Sequence, residues 1–209
     1  MGKLVAVVGN TGVGKTTFVN AICQNSNFIP GIEKHEHRPF QELFTQNHKK
    51  YALANQLDYL LLRADQEIKI RSSNLTGIQD GGLDQDFQVF TRLFYEKNYL
   101  TEDEFFICQR QYGLIREFLP PPEIIVWLKA SPDVIADRYQ LRNRRLSIAQ
   151  IEDIEKIDNL LNDWLGGLAS ENLITVDSES EDRQYSKSIQ KIIRTLNSKV
   201  SILSKGKLD

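Results

Sequence analysis

"GNTGVGKTT", residues 9–17, fits the pattern G-x-x-x-x-G-K-[ST] at every position. Its context fits too: the apolar run Leu4–Val8 precedes it and a helical pattern, Thr16–Gln24, follows. This spacing predicts a strand, a glycine turn and a helix start. The free N–H groups of the turn and of the helix then converge on one phosphate. Gly9, Asn10, Thr11, Gly12, Val13, Gly14, Lys15, Thr16 and Thr17 are therefore the candidate site for a nucleoside triphosphate, ATP, with Mg²⁺. Lys15 is expected to reach the β and γ phosphates, and the Thr16 hydroxyl to ligate the metal. The loop does not say what receives the phosphate.

Outward from this loop, apolar runs and helical patterns alternate along the chain. The runs Leu4–Val8, Phe28–Glu33, Leu75–Gln79, Ile124–Leu128 and Leu173–Val176 read as strands buried on both faces. Helical periodicity covers Thr16–Gln24, Tyr51–Ile68, Gln85–Asn98, Glu102–Leu119, Pro132–Arg142, Ile148–Trp164 and a polar stretch, Asp182–Lys199. The fold class expected is α/β: a three-layer sandwich around a five-stranded parallel sheet. No linker divides the chain, so residues 1–199 read as one domain and 200–209 as a frayed tail.

Composition narrows the partners. A formal net charge of −2 gives no field favouring nucleic acid or an anionic membrane. The opening apolar run is too short for a signal peptide, Ala6 breaks the myristoylation pattern, and nothing approaches a transmembrane length. The two cysteines, Cys23 and Cys108, stand far apart and read as reduced thiols, which points to the cytoplasm. His35, His37 and His48 read as solvated loop residues, and no metal cluster is expected of them.

No N-K-x-D guanine signature is present, which argues against a regulatory GTPase. The strand Ile124–Leu128 ends in Lys129 rather than Asp, which argues against a motor ATPase. After that strand, "ASPDVIADRYQLRNRR" (130–145) carries Arg138 and Arg142 one helical turn apart, then Arg144 and Arg145. Taken alone this is a basic helix end. Beside a phosphate loop, arginines here suit the neutralisation of charge on a transferring phosphoryl group.

At this point the chain, from about Leu4 to Trp164, resembles the deoxyribonucleoside kinase family. Besides the phosphate loop the likeness rests on four blocks in the family's order. They are "EKHEHRPF" (33–40), "YALANQLDYLLLR" (51–63), "DGGLDQDFQVF" (80–90) and the arginine-rich lid with R-x-x-x-R-x-R spacing at 138–144. Gln56 and Arg63 lie two helical turns apart on one face, and a Gln amide can both donate to and accept from a base edge. Arg63 and Asp86 can pair, and Phe90 follows Asp86 at i+4. Taken alone, Gln56 reads as a surface glutamine and Phe90 as a core aromatic. The resemblance implies that Gln56, Arg63, Asp86 and Phe90 bind the nucleobase, purine or cytosine rather than thymine. It also implies a homodimer formed through long helices such as Tyr51–Ile68.

Ligands of open α/β sheets sit at the carboxyl ends of the strands. Asp80 and Glu33 both follow expected strands, although Asp-Gly alone reads as a turn and Glu33 as a surface acid. The resemblance makes Asp80 the catalytic base acting on the 5′-hydroxyl, with Glu33 beside it. It also gives Lys15, Arg138, Arg142 and Arg144 the transferring phosphoryl group. The chain departs from the family at Gly81-Gly82, where Arg-Ser is usual, leaving Arg71 or a lid arginine to substitute. Thr45 stands where a sugar-binding tyrosine is usual, and Ser147 stands near the place of a glutamate that some relatives carry.

The sequence therefore reads as an ATP-dependent deoxynucleoside 5′-kinase of nucleotide salvage. Its rivals are a nucleoside monophosphate kinase of the thymidylate kinase type, kept open by Lys34 and Arg38, and a non-catalytic nucleotide-binding homologue, which Gly81-Gly82 makes conceivable. A polynucleotide-acting protein is disfavoured by the lack of a basic stripe.

Overall fold

The strand β1 (Leu4–Gly9) is buried along its whole length, and its side chains alternate between two cores. Val5 and Val7 join Phe18, Ile22, Ile78, Val126 and Leu196 on one face. Ala6 and Val8 join Phe44, Leu93, Trp127 and Leu161 on the other. A period of two within a continuous apolar run is what a central strand needs when helices cover both faces. A computed structural model of the chain describes residues 2–31, 38–141 and 150–205.

Five strands form one parallel sheet in the order β2-β3-β1-β4-β5, the three-layer α/β sandwich expected. The others are β2 (Ile29–Gly31), β3 (Gly77–Asp80), β4 (Ile124–Lys129) and β5 (Leu173–Asp177). β2 is the edge, where Pro30 costs no ladder hydrogen bond on its open side. The expected end of β2 at Glu33 lies outside the described residues. β3 starts two residues later than the apolar run suggests. Leu75 is exposed, while Gly77 packs so closely under Ile70 that no side chain fits there. This shift makes Asp80 the last ladder residue, opposite Val7 of β1.

The helices are α1 (Lys15–Gln24), α2 (Pro39–Gln46), α3 (His48–Arg71), α4 (Leu83–Gln85), α5 (Arg92–Glu96), α6 (Glu102–Phe118), α7 (Pro132–Leu141), α8 (Ile154–Gly166) and α9 (Ile189–Lys205). α2 escapes sequence reading because eight residues carry little periodicity; Pro39 in its first turn starts it. α3 overruns its expected Tyr51–Ile68 at both ends. Asn47 caps it by accepting from the Lys50 N–H at 3.0 Å, and Arg71 closes it.

The single helix expected over Gln85–Asn98 is three pieces, because a π-helical turn, Asp86–Thr91, separates α4 from α5. α8 begins later than expected, after a 3₁₀ turn at Ile151–Asp153. α9 passes the boundary at residue 199, since the apolar spacing Ile189, Ile192, Ile193, Leu196 continues to Val200, whose carbonyl accepts from Lys3 Nζ at 2.6 Å. Among the described residues no helix is long and apolar enough to cross a membrane.

Candidate active site

The loop 9–17 joins β1 to α1 as its sequence requires. Gly14 precedes α1 at φ 108°, and a Cβ there would stand 3.4 Å from the Tyr185 hydroxyl. Lys15 folds over the loop, its Nζ donating to the carbonyls of Gly9 and Asn10 at 2.9 Å each. Asn10 anchors the loop to α8 through Nδ2 to the Ile154 carbonyl at 2.7 Å, and its Oδ1 accepts from the Thr11 N–H at 2.8 Å. Thr17 follows in the first turn of α1.

The Thr16 hydroxyl donates to Asp80 Oδ2 at 2.5 Å. The metal-binding candidate and the proposed base are thus in contact, though 64 positions separate them in sequence. The parallel register of β1 and β3 causes this, since both strands end at the same edge. A hydroxyl and a carboxylate side by side are hard oxygen donors of the kind Mg²⁺ takes, so these residues fit the ion.

The second cluster lies behind Asp80. Arg63 donates from Nε to Asp86 Oδ2 at 2.6 Å, from Nη1 to the Asp80 carbonyl at 3.0 Å and to Gln66 Oε1 at 3.1 Å. Both members of the Arg63–Asp86 pair are buried. The π-turn leaves the Asp86 carbonyl accepting two side-chain donors, Gln56 Nε2 and the Thr91 hydroxyl, each at 2.9 Å. Such turns often mark functional sites because they free backbone groups and redirect side chains. The structure therefore brings Gln56, Arg63, Asp86 and Asp80 together. Phe90 sits at the edge of the apolar core in the same π-turn as Asp86.

Three expected site residues, Glu33, Arg142 and Arg144, lie outside the described residues, as do His35, His37, Lys34 and Ser147. Arg138 is placed: Nη1 donates to the Val13 carbonyl at 3.1 Å and to Ser178 Oγ at 3.3 Å, and Nη2 to the Ser178 carbonyl at 2.8 Å. It braces the phosphate loop against the turn after β5. Arg71 cannot replace the arginine missing at position 81. It is pinned at the amino end of the sheet by Glu123 and by the carbonyls of Pro120 and Pro121, and Glu123 also accepts from the Leu4 N–H. Arg38 pairs with Asp58 at 3.1 Å and lies over the Tyr59 ring. Thr45 turns its hydroxyl onto the Glu42 carbonyl within α2. His48 is no solvated loop residue, for it starts α3 and stacks on Tyr99.

Several residues escaped the sequence reading. Gln85 clamps the phosphate loop to α4, its Oε1 accepting from the Gly9 N–H at 3.0 Å and its Nε2 donating to the Gly9 carbonyl at 3.1 Å. Asn55, beside Gln56, is fully buried, and neither amide atom has a partner among the described residues. A polar residue within the buried stripe of α3 was its only signal. Arg116 on α6 forks onto both oxygens of buried Glu67 and donates to Asp84, which also accepts from the Tyr112 hydroxyl. Burial pushes the Glu67 carboxyl above the usual range, with Arg116 opposing it, and pushes Tyr112 up to about 12. Burial also raises Cys23 to about 11 and Cys108 to about 12, which favours the protonated thiols at neutral pH.

Comparison with known proteins adds to this geometry. A sequence profile for the family described as deoxynucleoside kinase matches residues 5–201. A deoxyadenosine/deoxycytidine kinase of Bacillus subtilis is 19% identical over 168 residues, which cover 79% of this chain and 77% of that protein. A deoxyadenosine kinase of Dictyostelium discoideum is 27% identical over 161 residues, 77% of this chain and 64% of that protein. The structure of a deoxyadenosine kinase from M. mycoides with bound dCTP superposes with a TM-score of 0.78 at 21% identity, covering 93% of this chain and 99% of that one. That likeness is one of fold.

Proposed function

The chain belongs to the deoxynucleoside kinase family, and from that premise we propose that it moves the γ-phosphate of ATP to the 5′-hydroxyl of a deoxynucleoside. One observation carries this reading: Asp80 joins two subsites. Its carboxylate accepts from Thr16 of the phosphate loop, and its carbonyl accepts from Arg63, which holds Asp86. A phosphate donor and an acceptor bound on either side of Asp80 would meet there.

Each residue has a duty in this proposal. The loop Gly9–Thr17 and Lys15 hold the triphosphate. Thr16 and Asp80 would hold Mg²⁺, which would supply neutralisation of phosphate charge. Asp80 accepts the 5′-hydroxyl proton, assisted by Glu33. Arg142 and Arg144 neutralise the transferring group, while Arg138 braces the loop beneath it. Gln56, Arg63, Asp86 and Phe90 hold the base. A buried Arg-Asp pair offers both donors and acceptors near Gln56, which suits the amine-bearing edge of a purine or cytosine better than thymine. Supply of deoxynucleotides by salvage follows from such an activity.

The test is ADP release from ATP and Mg²⁺ with single nucleosides, single nucleoside monophosphates, or no acceptor. Acceleration by deoxyadenosine, deoxyguanosine or deoxycytidine is expected. Acceleration by monophosphates alone would point to a monophosphate kinase, and none at all to a binding-only protein. Gln56→Ala is expected to raise the nucleoside KM about tenfold, the size of one lost hydrogen bond, with a smaller fall in kcat. A change confined to kcat would remove Gln56 from the base subsite.

The same proposal includes a homodimer. α6 carries Phe106, Ile107, Leu114 and Phe118 on its outer side, and Phe118 is 81% exposed. A second copy of this apolar face is its occupant. Light scattering is expected to give twice the chain mass, and Phe118→Asp to return the protein to a monomer. A wild-type monomer would refute this.

A further inference from the structure

Gly81 and Gly82 take φ values of 79° and 140°, conformations that side chains resist. Their surroundings are polar. A Cβ on Gly81 would stand 3.1 Å from Arg63 Nη2, and one on Gly82 would stand 3.2 Å from Gln79 Oε1. The guanidinium of Arg63 thus lies directly against the backbone where the family pattern has an arginine. It arrives from α3 rather than from the chain position itself, and it is buried.

We propose that Arg63 is a positioning residue for Asp80 as well as a base-subsite residue, and that Gly81 leaves the room its guanidinium needs at the end of β3. A planar fork of five donors can serve two directions at once. Nε takes the Asp86 carboxylate at 2.6 Å, and Nη1 takes the Asp80 carbonyl at 3.0 Å. Fixing that carbonyl fixes the Asp80 backbone, and with it the aim of the carboxylate at Thr16 Oγ1. Gln66 steadies the fork, since its Oε1 accepts from Arg63 Nη1 at 3.1 Å and from Gln79 Nε2 at 2.9 Å. The guanidinium beside position 81 thus belongs to a residue that also holds the acceptor's pocket. This rests on the kinase reading above, in which Asp80 serves the Mg²⁺–nucleotide.

Lysine keeps the charge of Arg63 but loses the fork, so it can satisfy Asp86 or the Asp80 carbonyl but not both. The readout is calorimetric binding of a non-hydrolysable ATP analogue, with and without Mg²⁺ and with no nucleoside present. Arg63→Lys is expected to weaken the Mg²⁺-dependent affinity about tenfold, the usual scale for residues that orient a metal ligand. Leu61→Ala, at an exposed position of the same helix, is expected to leave that affinity as in the wild type. Wild-type affinity in Arg63→Lys overturns the proposal.

If Arg63→Lys does not fold, Gln66→Leu decides, because it removes the acceptor that steadies Nη1 while the charge remains. The same weakening supports the proposal, and unchanged Mg²⁺-dependent affinity overturns it. Failure of the kinase reading looks different: the wild-type protein would bind the Mg²⁺–nucleotide yet release no ADP with any nucleoside.

Discussion

Asp80→Asn is expected to lower kcat by ~10²-fold or more in the ATP and deoxynucleoside assay, the usual size of a general-base effect. Asparagine keeps the shape of the side chain and leaves the Asp80 carbonyl available to Arg63. It removes the negative charge that faces the Thr16 hydroxyl. Under the proposed function two duties would be lost together: accepting the 5′-hydroxyl proton and holding Mg²⁺ beside Thr16. The Mg²⁺ concentration for half-maximal rate should therefore rise while kcat stays depressed at saturating Mg²⁺. Full recovery at high Mg²⁺ would leave Asp80 with the metal alone and hand the base to Glu33. A wild-type rate throughout would remove Asp80 from the mechanism.

Arg116→Met is expected to cost ~3–5 kcal/mol of stability, because it strands a buried charge. Glu67 has no solvent exposure, and both its oxygens accept from Arg116, at 2.8 and 2.9 Å. The same guanidinium donates to Asp84 at 2.8 Å, so α3, α4 and α6 all lose an anchor. For a domain of this size the loss corresponds to a fall in Tm on the order of 10 °C.

The loss should depend on pH. Burial raises the folded-state pKa of Glu67 above the ordinary value, and Arg116 opposes that rise. Without Arg116 the folded value climbs further. An acid with a raised folded pKa binds more protons folded than unfolded, so stability falls as pH rises from the unfolded to the folded value. The gap between variant and wild type should thus be smaller below the ordinary glutamate pKa of ~4.3 and larger toward neutrality. Changing Glu67 and Arg116 to Met together should recover most of the loss. Equal loss across pH in thermal unfolding would take Glu67 out of the explanation.

Much of this architecture was legible along the chain. β1 and β4 appear as unbroken apolar runs because both their faces are covered. Elsewhere local pattern fell short for specific reasons. The run ending at Gln79 hid the register of β3, because Leu75 is apolar yet exposed and Gly77 is set by its contact with Ile70. The π-turn at Asp86–Thr91 has no local signature, since the Asp86 carbonyl also accepts from Gln56, 30 positions earlier. Arg138 stands in an arginine-rich stretch that reads as phosphate-facing, yet its donors go to Val13 and Ser178.

The phosphate loop was determined by sequence alone. Nine consecutive residues suffice for it, because glycine dihedrals, a strand end and a helix start are local properties. Only the tertiary structure decided what stands around that loop. Asp80 reaches Thr16 through the parallel register of β3 on β1. Arg63 reaches both Asp86 and Asp80 because α3 crosses behind that edge and Gly81 leaves the space. Contacts between residues far apart in the chain depend on how elements pack. Periodicity within one element carries no record of that.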